Sequence, residues 1–383
     1  MGLRRKTGSA VAASMVLLLA GEAIADIAET RGGLTVRSAD GQFEGQVSAR
    51  IHFDAYFFDN DIEESVSTTE FRRARLTLRG RVHEWDYLWE NDFAGQDERA
   101  GSGFRHMFIA THLGPGRLIL GQFKPYRGME ELTSSNHILM MERPFASAIG
   151  IHAGRQWQQG AGYLVTRERH SVGLSAFNTR GAGSARNDGV GAAGRVTVLP
   201  IKTEQQLLHL GASFSHENGT SSTPAFNANA LYAGRRGPSQ RIATTLEGGR
   251  VDALGVEAAI SAGGFFAQAE YVAAEFHQAS GPTQRVDTYY AQGGYTLTGQ
   301  MRPYDSDRAV FLSPAGFNIV QLTARYDHIS NADIDNMQAE SITFGINYFA
   351  NPAVRFMANY TLGDNTFTGD RTRQLALRAQ LAF

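Results

Sequence analysis

From Val47 onward the chain alternates apolar and polar residues with a period of two. Val47, Ala49, Ile51, Phe53 and Phe57 are apolar, whereas Ser48, Arg50, His52 and Asp54 are polar. The same alternation returns in Leu254, Val256, Ala258 and Ile260; in Val320, Leu322, Ala324 and Tyr326; in Ile342, Phe344, Ile346 and Tyr348; in Phe356, Ala358, Tyr360 and Leu362; and in Leu375, Leu377, Ala379, Leu381 and Phe383. Successive side chains on a strand point to opposite faces, so each segment predicts a strand with one apolar and one polar face. Helical spacing is nearly absent. A tilted strand of about ten residues with one apolar face is what a bilayer crossing requires.

The connections alternate in length. Tight turns are predicted near His83-Glu84, Gly114-Pro115-Gly116, Arg167-Arg169, 200–206, Gly263-Gly264 and Asn351-Pro352, with longer polar loops at 59–70, 94–103, 179–190, 217–250, 277–286, 329–338 and 363–370. Short turns on one side and long loops on the other are the habit of outer-membrane barrels. The segment 299–316 breaks the rhythm, being long where a turn is expected. Aromatics cluster at strand ends, as in Phe57-Phe58, Trp85 to Trp89, Tyr289-Tyr290 and Tyr348-Phe349, which suits rings at the headgroup level. A single soluble sandwich of this size would be unusually large, and no repeat of about 20–50 residues supports a solenoid or propeller. The prediction is an all-β transmembrane antiparallel β-barrel of about 16 strands.

Residues 1–25 precede that pattern and are read as a signal peptide. Arg4, Arg5 and Lys6 make a positive start, Val11 to Ala20 an apolar stretch, and Ala23-Ile24-Ala25 a cleavage site, leaving 26–383 as the barrel domain. Export to the bacterial outer membrane follows. Among 383 residues there is no cysteine, which excludes disulfides and thiolate metal sites. A mean hydropathy of -0.27 excludes a bundle of membrane helices. The formal net charge of -2 hides a bias: of 36 basic residues only Lys6, Lys124 and Lys202 are lysines.

The arginines are ordered. In the predicted strand 71–82, Arg73, Arg75, Arg79 and Arg81 share one face, and Ala74, Leu76, Leu78 and Val82 the other. A charge facing lipid at mid-bilayer costs roughly 2–4 kcal/mol, so the arginine row is assigned to the lumen, where it attracts anions. Pairing with Glu90 and Asp92 on the next strand is the structural alternative, and both roles are compatible. The excursion from Lys124 to about Arg155 is too long for a hairpin loop. It carries Lys124, Arg127, Glu130, Glu131, Glu142 and Arg143, with Met129, Leu132, Ile138, Leu139, Met140 and Met141 to pack it on a wall. It is read as a loop folded into the pore to form the constriction. The candidate solute path is therefore Arg50, Arg73, Arg75, Arg79 and Arg81 on the walls, with Lys124, Arg127 and Arg143 on the loop.

These segments carry a family resemblance. Phe71-Arg72-Arg73-Ala74-Arg75-Leu76, Trp85-Asp86-Tyr87, Asn91-Asp92-Phe93-Ala94-Gly95, Gly121-Gln122-Phe123-Lys124-Pro125, Glu130 to Ser135 and Met141-Glu142-Arg143 resemble the phosphate-selective porin O/P family. So do Tyr295 to Gly299, Arg302-Pro303-Tyr304 and Ala324-Arg325-Tyr326. The resemblance implies a 16-stranded barrel, usually a homotrimer in outer-membrane lipid, passing small anions such as phosphate or pyrophosphate through a constriction at an inward-folded loop. It places Arg73, Arg75 and Lys124 on the family's basic positions and Glu130 and Glu131 in the constriction loop. Phosphate-specific members resemble one another in using several lysines, and the mature chain here has two, Lys124 and Lys202. A general small-solute porin and a non-conducting structural barrel are the alternatives.

Other motifs fail their context. Gly189-Val190-Gly191-Ala192-Ala193-Gly194 matches a dinucleotide fingerprint, but Arg195-Val196-Thr197-Val198 after it is strand-forming, so no nucleotide cofactor is implied. The histidines show no metal-ligand spacing. Asp59-Asn60-Asp61 and Asp333-Ile334-Asp335 read as solvated loop carboxylates. A barrel enzyme, an outer-membrane protease or lipase, is a further class; it would need a Ser or Asp paired with a rim His, a proximity that strand assignments from sequence do not show. A channel without cofactor, metal, nucleic-acid partner or covalent chemistry is expected.

Overall fold

The computed structural model describes residues 27–29, 33–94, 103–179 and 187–383. The signal peptide of residues 1–25 and the loop acids Asp97 and Glu98 lie outside them. Sixteen antiparallel strands, from Phe43–Asp59 to Arg373–Ala382, form one closed barrel. Closure is explicit: Arg373 pairs with Asp59 and Ala382 with Arg50, while the other edge of Phe43–Asp59 pairs with Thr68–Val82. A barrel leaves no unpaired edge in the hydrocarbon, where water cannot satisfy backbone groups.

The period-two reading holds on both faces. Leu254, Val256, Phe344, Ile346 and Phe356 are exposed on the outer wall, whereas Glu257, Thr343, Asn359 and Thr361 are buried inside. The aromatic clusters split by the same parity. Trp85, Tyr289 and Tyr348 face out, but Tyr290 and Phe349 are buried in the lumen. In the pairs Tyr289-Tyr290 and Tyr348-Phe349 only one ring can serve a membrane girdle, whereas Trp85, Tyr87 and Trp89, at alternate positions, share the outward face.

Among the described residues, three segments fold into the lumen. The first is the predicted loop between Gly116–Phe123 and Gln158–Thr166, with one helical turn at Met129–Leu132. The second is the connection 219–249, read from the sequence as an outer loop; it forms a hairpin, Asn227–Ala230 with Gln240–Thr244. Its Phe226, Ala228, Tyr232 and Ile242 pack with Phe145 and Ile151 of the first loop and with Val251, Val272 and Ile329 of the wall. The third is the long segment after Gln284–Thr296, which enters from the short-turn side as a small hairpin, Tyr304–Asp305 with Val310–Phe311. Phe311 packs on Phe266 with ring centroids 5.0 Å apart.

Candidate functional site in the barrel lumen

A loop inside a barrel must find partners for its backbone. Here wall carboxylates accept its N–H groups and wall arginines donate to its carbonyls. Glu270 accepts from Met129 N (2.9 Å) and Glu130 N (2.7 Å), and Asp327 from Phe145 N (3.1 Å). Gly128, at φ 53°, makes the first contact possible: a Cβ there would lie 2.9 Å from Glu270 Oε2. From the same strand as Asp327 and from the two final strands, Arg325 donates to Glu142 O (2.8 Å), Arg355 to Ile138 O (3.1 Å) and Arg378 to Met141 O (2.9 Å). Buried ion pairs of Glu217 with Arg127 and Arg155, each 2.6 Å, fasten the two ends of the loop.

Beneath the loop, toward the short turns, opens a cavity of about 1200 Å³. Among the described residues that line it, ten are Arg or Lys and four are Asp or Glu, so the vestibule is electropositive and favours anions. Arg50, Arg75, Arg79, Arg81, Lys124 and Arg143 of the predicted path line it. Arg50 donates to Ser134 (3.2 Å), Ser135 (3.1 Å) and Glu90 (3.1 Å), joining wall to loop. Arg75 is held by Asp92 (2.7 Å) and Glu90 (3.1 Å), the pairing weighed in the sequence. Arg79 and Arg81 lie lower, toward the short-turn end. Lys124 Nζ donates to Glu131 O (2.6 Å) and lies 5.5 Å from the centre of the Trp157 ring.

Arg73 and Arg127 do not line this cavity. Arg127 is committed to Glu217. Arg73 is buried, with Nε and Nη1 lacking hydrogen-bond partners among the described residues. Arg143 lines both the vestibule and a smaller cavity above the loop of about 30 Å³. It therefore stands where the two sides of the pore meet, with Nε donating to Glu130 O (3.1 Å) and Nη2 to Thr133 O (2.5 Å).

Sequence reading missed several lining groups. Arg72 falls on the outward parity of its strand, yet a bulge opposite His52 and Phe53 turns it inward, where Glu142 holds it at 2.7 and 3.0 Å. Arg195, Arg308 and Arg355 line the vestibule from distant strands and from the third inward segment. Trp157 lines it too, with Arg75 and Arg105 5.3 and 5.0 Å from its ring centre. In Phe226, Ala228, Ala230 and Tyr232 a period-two signal for the second inward segment was present.

A model of the family described as phosphate-selective porin O and P matches residues 46–383, nearly the whole barrel. The chain belongs to that family. As a member it is a porin of the bacterial outer membrane, a channel and not an enzyme. Porin O of Pseudomonas aeruginosa is 26% identical over 413 residues, covering 94% of this chain and 93% of the relative. Among solved structures, an anion-selective porin from Comamonas acidovorans is similar with a TM-score of 0.60 at 14% identity, covering 89% of this porin and all of the other chain. The trimer form of OmpT from Vibrio cholerae gives 0.59 at 11% identity, covering 89% and 99%. These two likenesses concern the fold.

Proposed function

We propose that this porin is a passive channel for small anions, phosphate and pyrophosphate among them, exported by its residues 1–25 and working as a homotrimer in outer-membrane lipid. The observation that carries the reading is the excess of cations, ten against four, around a vestibule roofed by Ser134, Ser135 and Arg143. Guanidiniums stay charged across physiological pH and can bind phosphate in a bidentate manner. Arg50, Arg79, Arg308 and Arg355 supply the attraction, Arg143 the charge at the junction, and the two serines the hydroxyl donors. Conduction needs such sites to be weak enough to release the solute. The family name and the name of the Comamonas porin support an anionic solute, and the trimeric OmpT supports the assembly.

A second reading, a general anion or small-solute pore, is favoured by one feature. Lys124 is the single lysine of the vestibule and its ammonium is already held by Glu131 O and Thr133 O. Single-channel current in chloride with added phosphate, pyrophosphate or sulfate tests both. A phosphate-binding pore shows phosphate reducing chloride current at millimolar concentration, and the effect weakens in Arg50→Ala. Equal, weak competition by all three selects the general pore. A cation-preferring reversal potential, unchanged in Arg50→Ala and Arg79→Ala, overturns the anion reading.

A further inference from the structure

The second inward loop divides into two parts of different chemistry. Its stem is apolar, with Phe226, Ala228, Ala230, Ile242 and Ala243 buried against the wall and the first loop. Its tip, Leu231 to Gly237, crosses the outer mouth and is tied to the far wall chiefly by polar groups. Arg235 Nε reaches Glu70 Oε1 at 3.1 Å and Arg236 Nε reaches Glu70 Oε2 at 3.0 Å. Gln374 Nε2 donates to Arg235 O (2.6 Å), and Tyr232 Oη donates to Asp370 (3.0 Å). Glu70 is positioned by Tyr56, whose hydroxyl donates to it at 2.9 Å.

What lies beneath the tip decides its meaning. The cavity between the tip and the first loop, lined by Leu231, Gly234, Arg235 and Arg143, is about 30 Å³, the scale of a water molecule or two. A phosphate ion does not fit there, whereas the vestibule below Arg143 is about 1200 Å³. A solute entering by this route must move the tip. The tie opens to solvent at one end: the Arg236 side chain is 35% exposed while Glu70 beneath it is 12% exposed, so an entering anion can reach the guanidinium first, and Gly234 and Gly237 flank the two arginines. The buried apolar stem gives the moving part a fixed base.

We propose that the tip is an anion-released latch, in which an entering oxyanion replaces Glu70 on Arg235 and Arg236 and frees the mouth. The inference rests on the anion-channel reading. The solute so recruited is a multiply charged oxyanion, because it must compete with a carboxylate that accepts from two guanidiniums. Phosphate and pyrophosphate qualify better than chloride. The latch would make conductance rise more steeply with phosphate than with chloride at submillimolar concentration, below the millimolar range in which phosphate held in the vestibule reduces chloride current.

The absence of native cysteine allows a direct test. Glu70→Cys with Arg236→Cys is bridged by a short bis-methanethiosulfonate reagent and studied in planar bilayers before and after reduction. The bridged channel is expected to lose current on the order of tenfold, with recovery on reduction. A monofunctional reagent on the same cysteines leaves the current. Equal current in bridged and reduced channels, or the same loss with the monofunctional reagent, overturns the latch. Glu70→Gln, which keeps the side-chain shape, is the second arm: it raises current at low phosphate and converges on the parent at high phosphate. Unchanged current at low phosphate overturns the proposal even if the double variant does not insert. The reversal potential of the reduced channel separates the readings, since an anion-preferring value with no latch effect leaves the channel function standing, whereas a cation-preferring one removes it.

Discussion

Trp157 is where single side chains define the pore most sharply. Arg75, Arg105 and Lys124 all approach its ring within 5.0 to 5.5 Å, contacts worth about 0.5–2 kcal/mol each depending on desolvation. An indole so placed fixes three cations whose mutual repulsion would otherwise spread them. Trp85, by contrast, faces outward and is exposed. In a Trp85→Phe, Trp89→Phe double variant, fluorescence from Trp157 should be quenched far more by iodide than by caesium at equal concentration. Equal quenching by both ions would mean that the roof does not enrich anions. The arginines of this region were legible in part. Parity places Arg75, Arg79 and Arg81 correctly, because a period of two is a local property. It misplaces Arg72, because one extra residue opposite His52 and Phe53 reverses the parity beyond it and leaves no mark in composition.

At the scale of elements, strands and loops were readable to different degrees for the same reason. Strands are selected by an alternation that any bilayer crossing needs, so their number follows from sequence alone. Where a loop lies depends on partners far along the chain. The first inward loop betrayed itself by length and by its run of methionine and leucine, yet its anchors, Glu270 and Asp327, sit on strands that read like any other. Glu270 should matter most: replacement by Ala leaves the Met129 and Glu130 amides buried without an acceptor, at a cost of about 1–3 kcal/mol for an unsatisfied group. Hydrogen exchange of these two amides should accelerate by roughly one to two orders of magnitude while the barrel amides keep their protection. Unaltered protection at Met129 and Glu130 would show that the loop is held by its apolar side alone. Arg302 and Arg355 illustrate the converse arrangement. Their guanidiniums donate to loop carbonyls and have no carboxylate partner among the described residues, so they add positive field to the lumen while holding the loop.

Over the whole molecule, a near-neutral chain becomes a polarised channel. Acidic side chains are also buried inside: Glu217, Glu257, Glu270 and Asp327 bind loops or pair with Arg on one side of the lumen, while the vestibule keeps the excess of cations. The outer end is organised by one carboxylate. Asp370 accepts from the Ile62 and Glu63 amides at 2.8 Å, from the Thr372 amide at 3.2 Å and from Tyr232 Oη at 3.0 Å, joining three extracellular connections. Burial by itself raises its pKa, but the amide of Glu63 and the hydroxyl and amide of Thr372, with Tyr232, outweigh that and hold the carboxyl below its ordinary value. The ionised form is thus the one the folded loops bind. Its contribution to loop stability is present above the unfolded carboxyl pKa, about 3.9, and is lost as pH falls through the lowered folded value. Protection of the Ile62 and Glu63 amides, corrected for intrinsic exchange, should stay level from neutrality down to about pH 4 and drop only below it. In Asp370→Asn the protection should already be low at neutral pH and show no acid step. An acid step of the same size in that variant would assign it to another carboxylate and remove Asp370 as the keystone of the outer mouth.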